Sequence, residues 1–214
     1  MKRILCFGDS NTWGYRPDKP GVRYNADSRW TGVLAAELGK DYEVIEEGLN
    51  GRTTIWDDPF DEYKNGKHYL VPCLETHREF DLITLMLGTN DLKAYFNLSA
   101  ASITEGIGSL IKIISQTPCG TGGVPPKILL IAPPPIGKLS AFEGMFEGGL
   151  AKSKKFKKYY KTLSESKKCY FLDAGKIVKS SDIDGIHWEP KEHKKFAVDM
   201  SKKIKEIFNC DELV

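Results

Sequence analysis

A chain of 214 residues, 41% hydrophobic and 28% charged, has an ordinary globular composition and is long enough to bury one good core. Its net charge of +2 excludes the electrostatic footprint of a nucleic-acid or anionic-membrane binder, and no apolar stretch approaches the ~20 residues of a membrane span. The cysteines Cys6, Cys73, Cys119, Cys169 and Cys210 are scattered, odd in number and without C-x-x-C spacing, which argues against a disulfide framework or a zinc site and fits reduced thiols in a cytosol.

In chain order, Arg3 to Phe7 is a short apolar run ended by the turn cluster Gly8-Asp9-Ser10-Asn11, too short for a signal-peptide core and readable as a buried first strand. Trp30, Val33, Leu34 and Leu38 have helical spacing, with Asp27 or Ser28 as N-cap and Gly39 as the stop. Tyr42 to Ile45 is a second strand running into Gly48-Leu49-Asn50-Gly51. Asp57 to Glu79 is polar, interrupted by Pro59, Gly66 and Pro72, and reads as a long excursion without a period. Leu82 to Leu87 is the clearest strand, ended by Gly88-Thr89-Asn90-Asp91. Ile103, Ile107, Leu110, Ile111 and Ile114 mark an amphipathic helix that Ser99 can cap. After the Gly/Pro-rich loop Thr117 to Pro126 come a fourth strand, Lys127 to Ile131, and a loop from Ile136 to Gly149. A helix with Phe156, Tyr159, Tyr160 and Leu163 on one face, a fifth strand at Tyr170 to Leu172 and a closing helix with Phe196, Met200, Ile204 and Ile207 complete the chain.

Strands that alternate with helices predict a parallel sheet covered on both faces: a three-layer α/β/α sandwich, five-stranded and flavodoxin-like, as a single domain over residues 1–214. In such a fold ligands bind outside the carboxyl ends of the strands. Ser10, Gly51, Asn90 and the pair Asp184 and His187 all stand in loops that follow strands, so the topology gathers them on one edge.

A serine hydroxyl is a poor nucleophile until a base takes its proton. An imidazole is the side chain suited to proton transfer near neutral pH, which makes His187 the natural base. Asp184 stands three residues earlier, a spacing that places both side chains on one side of a turn; Asp182 is the rival carboxylate. Taken singly, each residue also has a structural reading. Ser10 and Asn90 suit caps or turns, and His187 suits a hydrogen-bonded loop. A phosphate-loop reading of Gly8-Asp9-Ser10 fails because it is neither G-x-G-x-x-G nor a Walker motif.

The blocks Gly8-Asp9-Ser10-Asn11, Gly48-Leu49-Asn50-Gly51, Gly88-Thr89-Asn90-Asp91 and Asp184-Gly185-Ile186-His187 resemble the four blocks of the SGNH (GDSL-type) hydrolase superfamily, in the same order and across essentially the whole chain. The wider wording, including Thr12-Trp13-Gly14, Arg29-Trp30-Thr31-Gly32-Val33-Leu34 and Lys93-Ala94-Tyr95-Phe96, is similar to the mycobacterial-type arylesterase/acyltransferase branch. The resemblance implies a serine esterase for small aryl or acetyl esters that works through an acyl-enzyme and also transfers acyl groups to alcohols. Carbohydrate acetyl-esterase and thioesterase/lysophospholipase readings belong to the same chemistry, and an inactive binding module on this scaffold is the reading from another class. The catalytic residues would be Ser10, Asp184 and His187. The oxyanion hole would be the N–H groups of Ser10 and Gly51 with the amide of Asn90. Asn11 departs from the leucine of the family name.

The substrate pocket is expected to include Asn11, Trp13, Trp56, Phe142, Phe146, Ile186 and Trp188, residues in or beside the active-site loops. No cofactor and no metal are expected, because His68, His77 and His193 have no metal-ligand spacing to nearby carboxylates or cysteines. His193, at the start of the last helix, reads as solvated. The lysine-rich stretch Lys152 to Lys168 reads as a solvated helix face rather than an RNA site. Asn97-Leu98-Ser99 matches a glycosylation sequon that carries little weight without a secretion signal. The expected partner is a small-molecule ester, with no nucleic acid and no stable membrane association. The cysteine usage and the short first apolar run lead to the expectation of a cytoplasmic protein, and the resemblance implies a homo-oligomer, with the 57–79 and 136–149 loops as candidate contacts.

Overall fold

In a computed structural model, which describes residues 1–209, five parallel strands lie in the order β2-β1-β3-β4-β5. They are β1 (Lys2–Gly8), β2 (Tyr42–Gly48), β3 (Leu82–Met86), β4 (Lys127–Ala132) and β5 (Tyr170–Asp173). Side chains alternate strictly across the inner strands. Ile4 and Cys6 of β1, Leu82 and Met86 of β3, and Leu129 and Ile131 of β4 face one layer. Leu5 and Phe7, Ile83 and Leu85, and Ile128 and Leu130 face the other. This period of two, with both faces apolar, is what a central parallel strand needs to bury itself on both sides.

The helices, in chain order, are α1 (Ser10–Trp13), α2 (Trp30–Leu38), α3 (Gly66–His77), α4 (Ala100–Gln116), α5 (Gly149–Ser153), α6 (Phe156–Lys167) and α7 (Pro190–Asn209). α2 and α7 cover one face through Trp30, Leu34, Phe196, Met200 and Ile204. α3, α4 and α6 cover the other through Leu70, Leu74, Ile103, Ile107, Ile111, Phe156 and Tyr160. The fold is the flavodoxin-like α/β/α sandwich, and its switch point lies where β1 is flanked by β2 and β3. Ser99 caps α4, accepting from the Ser102 N–H at 3.0 Å.

Several sequence expectations are corrected. The 57–79 segment is not all loop, because α3 occupies its second half. Asn65 caps that helix by accepting from the Lys67 N–H, and Leu70, Cys73 and Leu74 form a buried stripe despite the internal Pro72. α2 starts with Arg29 at the N-cap position and no side-chain cap of its own; neither Asp27 nor Ser28 fills that place. Its first N–H, from Trp30, is instead donated to Nδ1 of His193 at 3.2 Å. His193 is therefore fully buried rather than solvated. On α6, Phe156 and Tyr160 face the core while Tyr159 is exposed, and the lysines from Lys154 to Lys161 stand in solvent. Cys6, Cys73, Cys119 and Cys169 are free thiols; Cys210 lies outside the described residues.

Candidate active site

β1 ends at Gly8, and the chain turns at once into the single turn α1. Asp9 caps it, its side chain accepting from the Asn11 N–H at 3.1 Å. α1 lies hard against the end of β2. A Cβ on Gly48 would come within 2.2 Å of the Trp13 nitrogen, so only glycine fits where β2 passes under the turn. Ser10 is thereby fixed at the carboxyl edge of the sheet.

The loop after β5 brings His187 over Ser10. Its Nε2 lies 2.9 Å from the Ser10 Oγ, and its Nδ1 lies 2.6 Å from Asp184 Oδ2. The other Asp184 oxygen accepts from the N–H groups of Ile186 and His187, each at 2.9 Å. Burial pushes the Asp184 carboxyl up, but the His187 ring and these two N–H groups outweigh it and hold it below the usual carboxylate range. Asp182, the rival in sequence, is exposed and pairs with Lys179. The geometry can do one thing readily: Nδ1 stays protonated toward Asp184, and Nε2 is left as an acceptor for the serine proton.

Gly51 and Asn90 face the same pocket as Ser10 and His187, a cavity of about 200 Å³. Gly51 has φ +79°, the left-handed region that glycine tolerates. One amide hydrogen of Asn90 is donated to the Arg52 carbonyl at 3.1 Å, which fixes the orientation of the NH₂ group. Asp91, behind it, accepts from the Thr54 N–H at 3.0 Å and ties the 52–54 segment to the Asn90 loop. Burial pushes both Asp9 and Asp91 up to about 6.

Of the residues expected to form the pocket, Phe142, Phe146 and Ile186 line it. Asn11, Trp13, Trp56 and Trp188 do not. Asn11 spends its amide on the main chain, donating to the Ile186 carbonyl at 3.2 Å and accepting from the Trp188 N–H at 3.1 Å. Trp188 is core, its ring against Phe196 and His193. Trp13 lies under the Arg23 guanidinium, outside the pocket. Trp56 sits beyond Thr53, whose hydroxyl donates to the Trp56 carbonyl. Sequence reasoning missed Tyr15, Asn50, Lys93 and Met145, which also line the pocket. Tyr15 stacks on the His187 ring at 4.1 Å between centroids. The turn that closes α1 brings it back, its N–H bonded to the Ser10 carbonyl. The 136–149 loop is held over His187 by hydrogen bonds from the Gly137 N–H to the Gly185 carbonyl and from the Ser140 hydroxyl to the Ile183 carbonyl.

The absence of metal-ligand spacing in sequence also needs correcting. Glu47 of β2 meets Cys73 and His77 of α3 with potential ligand atoms within 4.8 Å of one another, and the Glu47 to His77 contact is 2.7 Å. Cys73 and His77 stand four residues apart on α3, a spacing the sequence does show, whereas the Glu47 contact joins a strand to that helix and has no linear signal. A cation is already beside it: the Arg52 guanidinium lies over the Phe7 and Tyr69 rings and donates to the Gly8 and Glu47 carbonyls. Burial, and then Glu47, push the Cys73 thiol up to about 12.

The GDSL-like lipase/acylhydrolase family profile matches residues 6–194, and the chain belongs to that family. Among solved structures it is similar to Est24, a carbohydrate acetylesterase from Sinorhizobium meliloti, with 40% identity, 97% of this chain and 100% of that one covered, and a TM-score of 0.92. It is similar also to the aryl esterase of M. smegmatis, with 41% identity, 96% and 99% covered, and a TM-score of 0.91. A lipase/acylhydrolase from Enterococcus faecalis, 20% identical over 96% of both chains with a TM-score of 0.67, shares the fold. No curated protein sequence matches the chain. Among the described residues, no helix is long and apolar enough to cross a membrane.

Proposed function

We infer that the protein is a serine esterase acting on small carboxylic esters, aryl or acetyl, with the whole chain serving as one hydrolase domain. The observation that carries this reading is the unbroken relay from Asp184 Oδ2 through His187 to the Ser10 Oγ, at 2.6 and 2.9 Å. Ser10 attacks the ester carbonyl as His187 takes its proton, and Asp184 stabilises the imidazolium that forms. The N–H groups of Ser10 and Gly51 and the Asn90 amide receive the oxyanion. His187 then protonates the leaving alcohol, and the acyl-Ser10 ester is resolved by water or by an alcohol. No cofactor takes part in these steps. The apolar walls formed by Phe142, Met145, Phe146 and Ile186 suit a short acyl chain or an aryl ring.

A carbohydrate acetyl ester is the second substrate reading, favoured by the 40% identity to an acetylesterase. We place the protein in the cytoplasm as a homo-oligomer without nucleic-acid or membrane partners. The exposed Phe60 and Tyr63 of the 57–65 segment are the candidate contacts between copies. The deciding experiment compares hydrolysis of p-nitrophenyl acetate, butyrate and octanoate by the wild type and by Ser10→Ala. The reading expects clear wild-type turnover that collapses by orders of magnitude in the variant; equal rates would remove Ser10 as nucleophile.

A further inference from the structure

Lys93 is the only lysine or arginine lining the catalytic pocket among the described residues; the rest of the wall is neutral or apolar apart from His187. Its ammonium is held 2.6 Å from Asp58 Oδ2. The same oxygen accepts from the Tyr95 hydroxyl at 2.7 Å, and the other accepts from the Phe60 N–H at 3.0 Å. The Asp58 side chain is completely shielded from solvent and that of Lys93 is 9% exposed. Asp58 belongs to the 57–65 segment and also lines the neighbouring cavity of about 820 Å³. The pair thus bridges the wall between the two cavities. Burial opposes the Asp58 charge, but the bonds from Lys93, Tyr95 and the Phe60 N–H outweigh it and keep the carboxyl below its ordinary value. Asp58 is thus the buried counter-ion of the Lys93 ammonium.

Resting on the esterase reading above, we propose that Asp58 masks Lys93 and so fixes the substrate class: the pocket takes esters whose acyl group is uncharged and discriminates against those that carry a carboxylate. A carboxylate arriving in the pocket could claim the ammonium only by displacing Asp58. That would leave a buried anion with Tyr95 and one N–H as its remaining donors, and breaking a desolvated ion pair by removing one partner is strongly unfavourable. A neutral acyl group leaves the pair intact and meets only the apolar wall. Replacing Asp58 by an isosteric neutral amide should release the ammonium, and the charge preference should move with it.

The test uses two substrates of matched chain length, the p-nitrophenyl monoesters of butyric and succinic acids. Rates are corrected for spontaneous hydrolysis, because the succinyl carboxylate can attack its own ester. Wild type is expected to favour butyryl. Asp58→Asn is expected to raise the succinyl-to-butyryl ratio of kcat/KM by about tenfold or more. In Asp58→Asn/Lys93→Met the ratio is expected to return to the wild-type level or below. An Asp58→Asn ratio within about twofold of wild type, with butyryl hydrolysis still measurable, overturns the proposal, as does a raised ratio that survives in the double variant. If Asp58→Asn does not fold, Lys93→Met alone decides. It strands the Asp58 charge beside the pocket and is expected to lower the ratio further; an unchanged ratio overturns the proposal. Failure of the esterase reading is distinguishable, because Ser10→Ala would then hydrolyse the butyryl ester as fast as wild type.

Discussion

The carboxamide of Asn11 spans His187. It donates to the carbonyl of the residue before the histidine and accepts from the N–H of the residue after it, pairing with the backbone as a neighbouring strand would. Asn11 directly follows Ser10, so one side chain ties the two halves of the Ser10–His187 contact together across the length of the chain. The substitution Asn11→Leu would install the residue of the family name, yet leave a buried carbonyl and N–H without partners. We expect it to cost about 1–3 kcal/mol of stability and to lower kcat about tenfold through a misplaced imidazole, with KM changing less. Urea denaturation and steady-state kinetics read the two effects separately. If KM and chain-length preference move while kcat holds, Asn11 acts as a pocket wall instead.

Asn90 has one amide hydrogen committed to the Arg52 carbonyl, which leaves the other for an oxyanion. Asn90→Ala removes that donor and is expected to reduce kcat by about 10²–10³ with a small change in KM. A loss confined to KM would assign Asn90 to ground-state binding.

Much of this arrangement is written in the sequence, because parallel sheets impose a simple rule. Two-sided apolar runs become central strands, and the residues just after them arrive on one edge. Ser10, Gly51, Asn90 and the Asp184–His187 pair were all legible in that way. What lay beyond reach depends on which neighbour the tertiary fold supplies. Pro72 hid α3, whose capping by Asn65 and buried stripe matter more than one missing hydrogen bond. Closeness to a catalytic residue in sequence misled for Trp188, because consecutive residues point to opposite sides: His187 faces Ser10 and Trp188 faces Phe196. Tyr15 and Lys93 were missed for the converse reason, since turns return them to the pocket. His193 looked solvated because it stands at the start of the last helix; the fold instead packs its ring against Tyr24 and Trp188, where it accepts the Trp30 N–H of the uncapped α2.

Gly51 is held at φ +79°, and a Cβ there would lie 3.3 Å from Asp61 Oδ2 and 3.4 Å from the Lys64 Cε. The side-chain ends can give way, but the backbone conformation still costs an L-residue roughly 1–2 kcal/mol. Gly51→Ala should lose about that much stability and should reduce kcat as its N–H is pulled off line. Full activity combined with reduced stability would show that this N–H is not needed by the oxyanion.

His193 makes the structure sensitive to acid by a route separate from catalysis. Its ring is buried against Tyr24 and Trp188 and accepts the Trp30 N–H at Nδ1. Burial, and secondarily the charge of His187, push it from 6.5 down to about 3. Between those two values the unfolded chain binds a proton at this site that the folded chain refuses, so its contribution lowers stability as pH falls through that window. The slope is at most about 1.4 kcal/mol per pH unit. Above pH 6.5 the contribution is constant. Asp9 and Asp91 act in the opposite sense. Their carboxyls are raised to about 6, so the folded state takes up protons there before the unfolded state does. The raw pH profile therefore mixes the two. His193→Gln, which keeps an acceptor for Trp30, isolates the histidine. The stability advantage of wild type over this variant should be level near neutrality and shrink steadily from pH 6.5 toward pH 4, measured by urea denaturation at each pH. A gap that stays constant across that range would mean that the imidazole is protonated in place, with its ring reached by water or by a carboxylate in the folded protein.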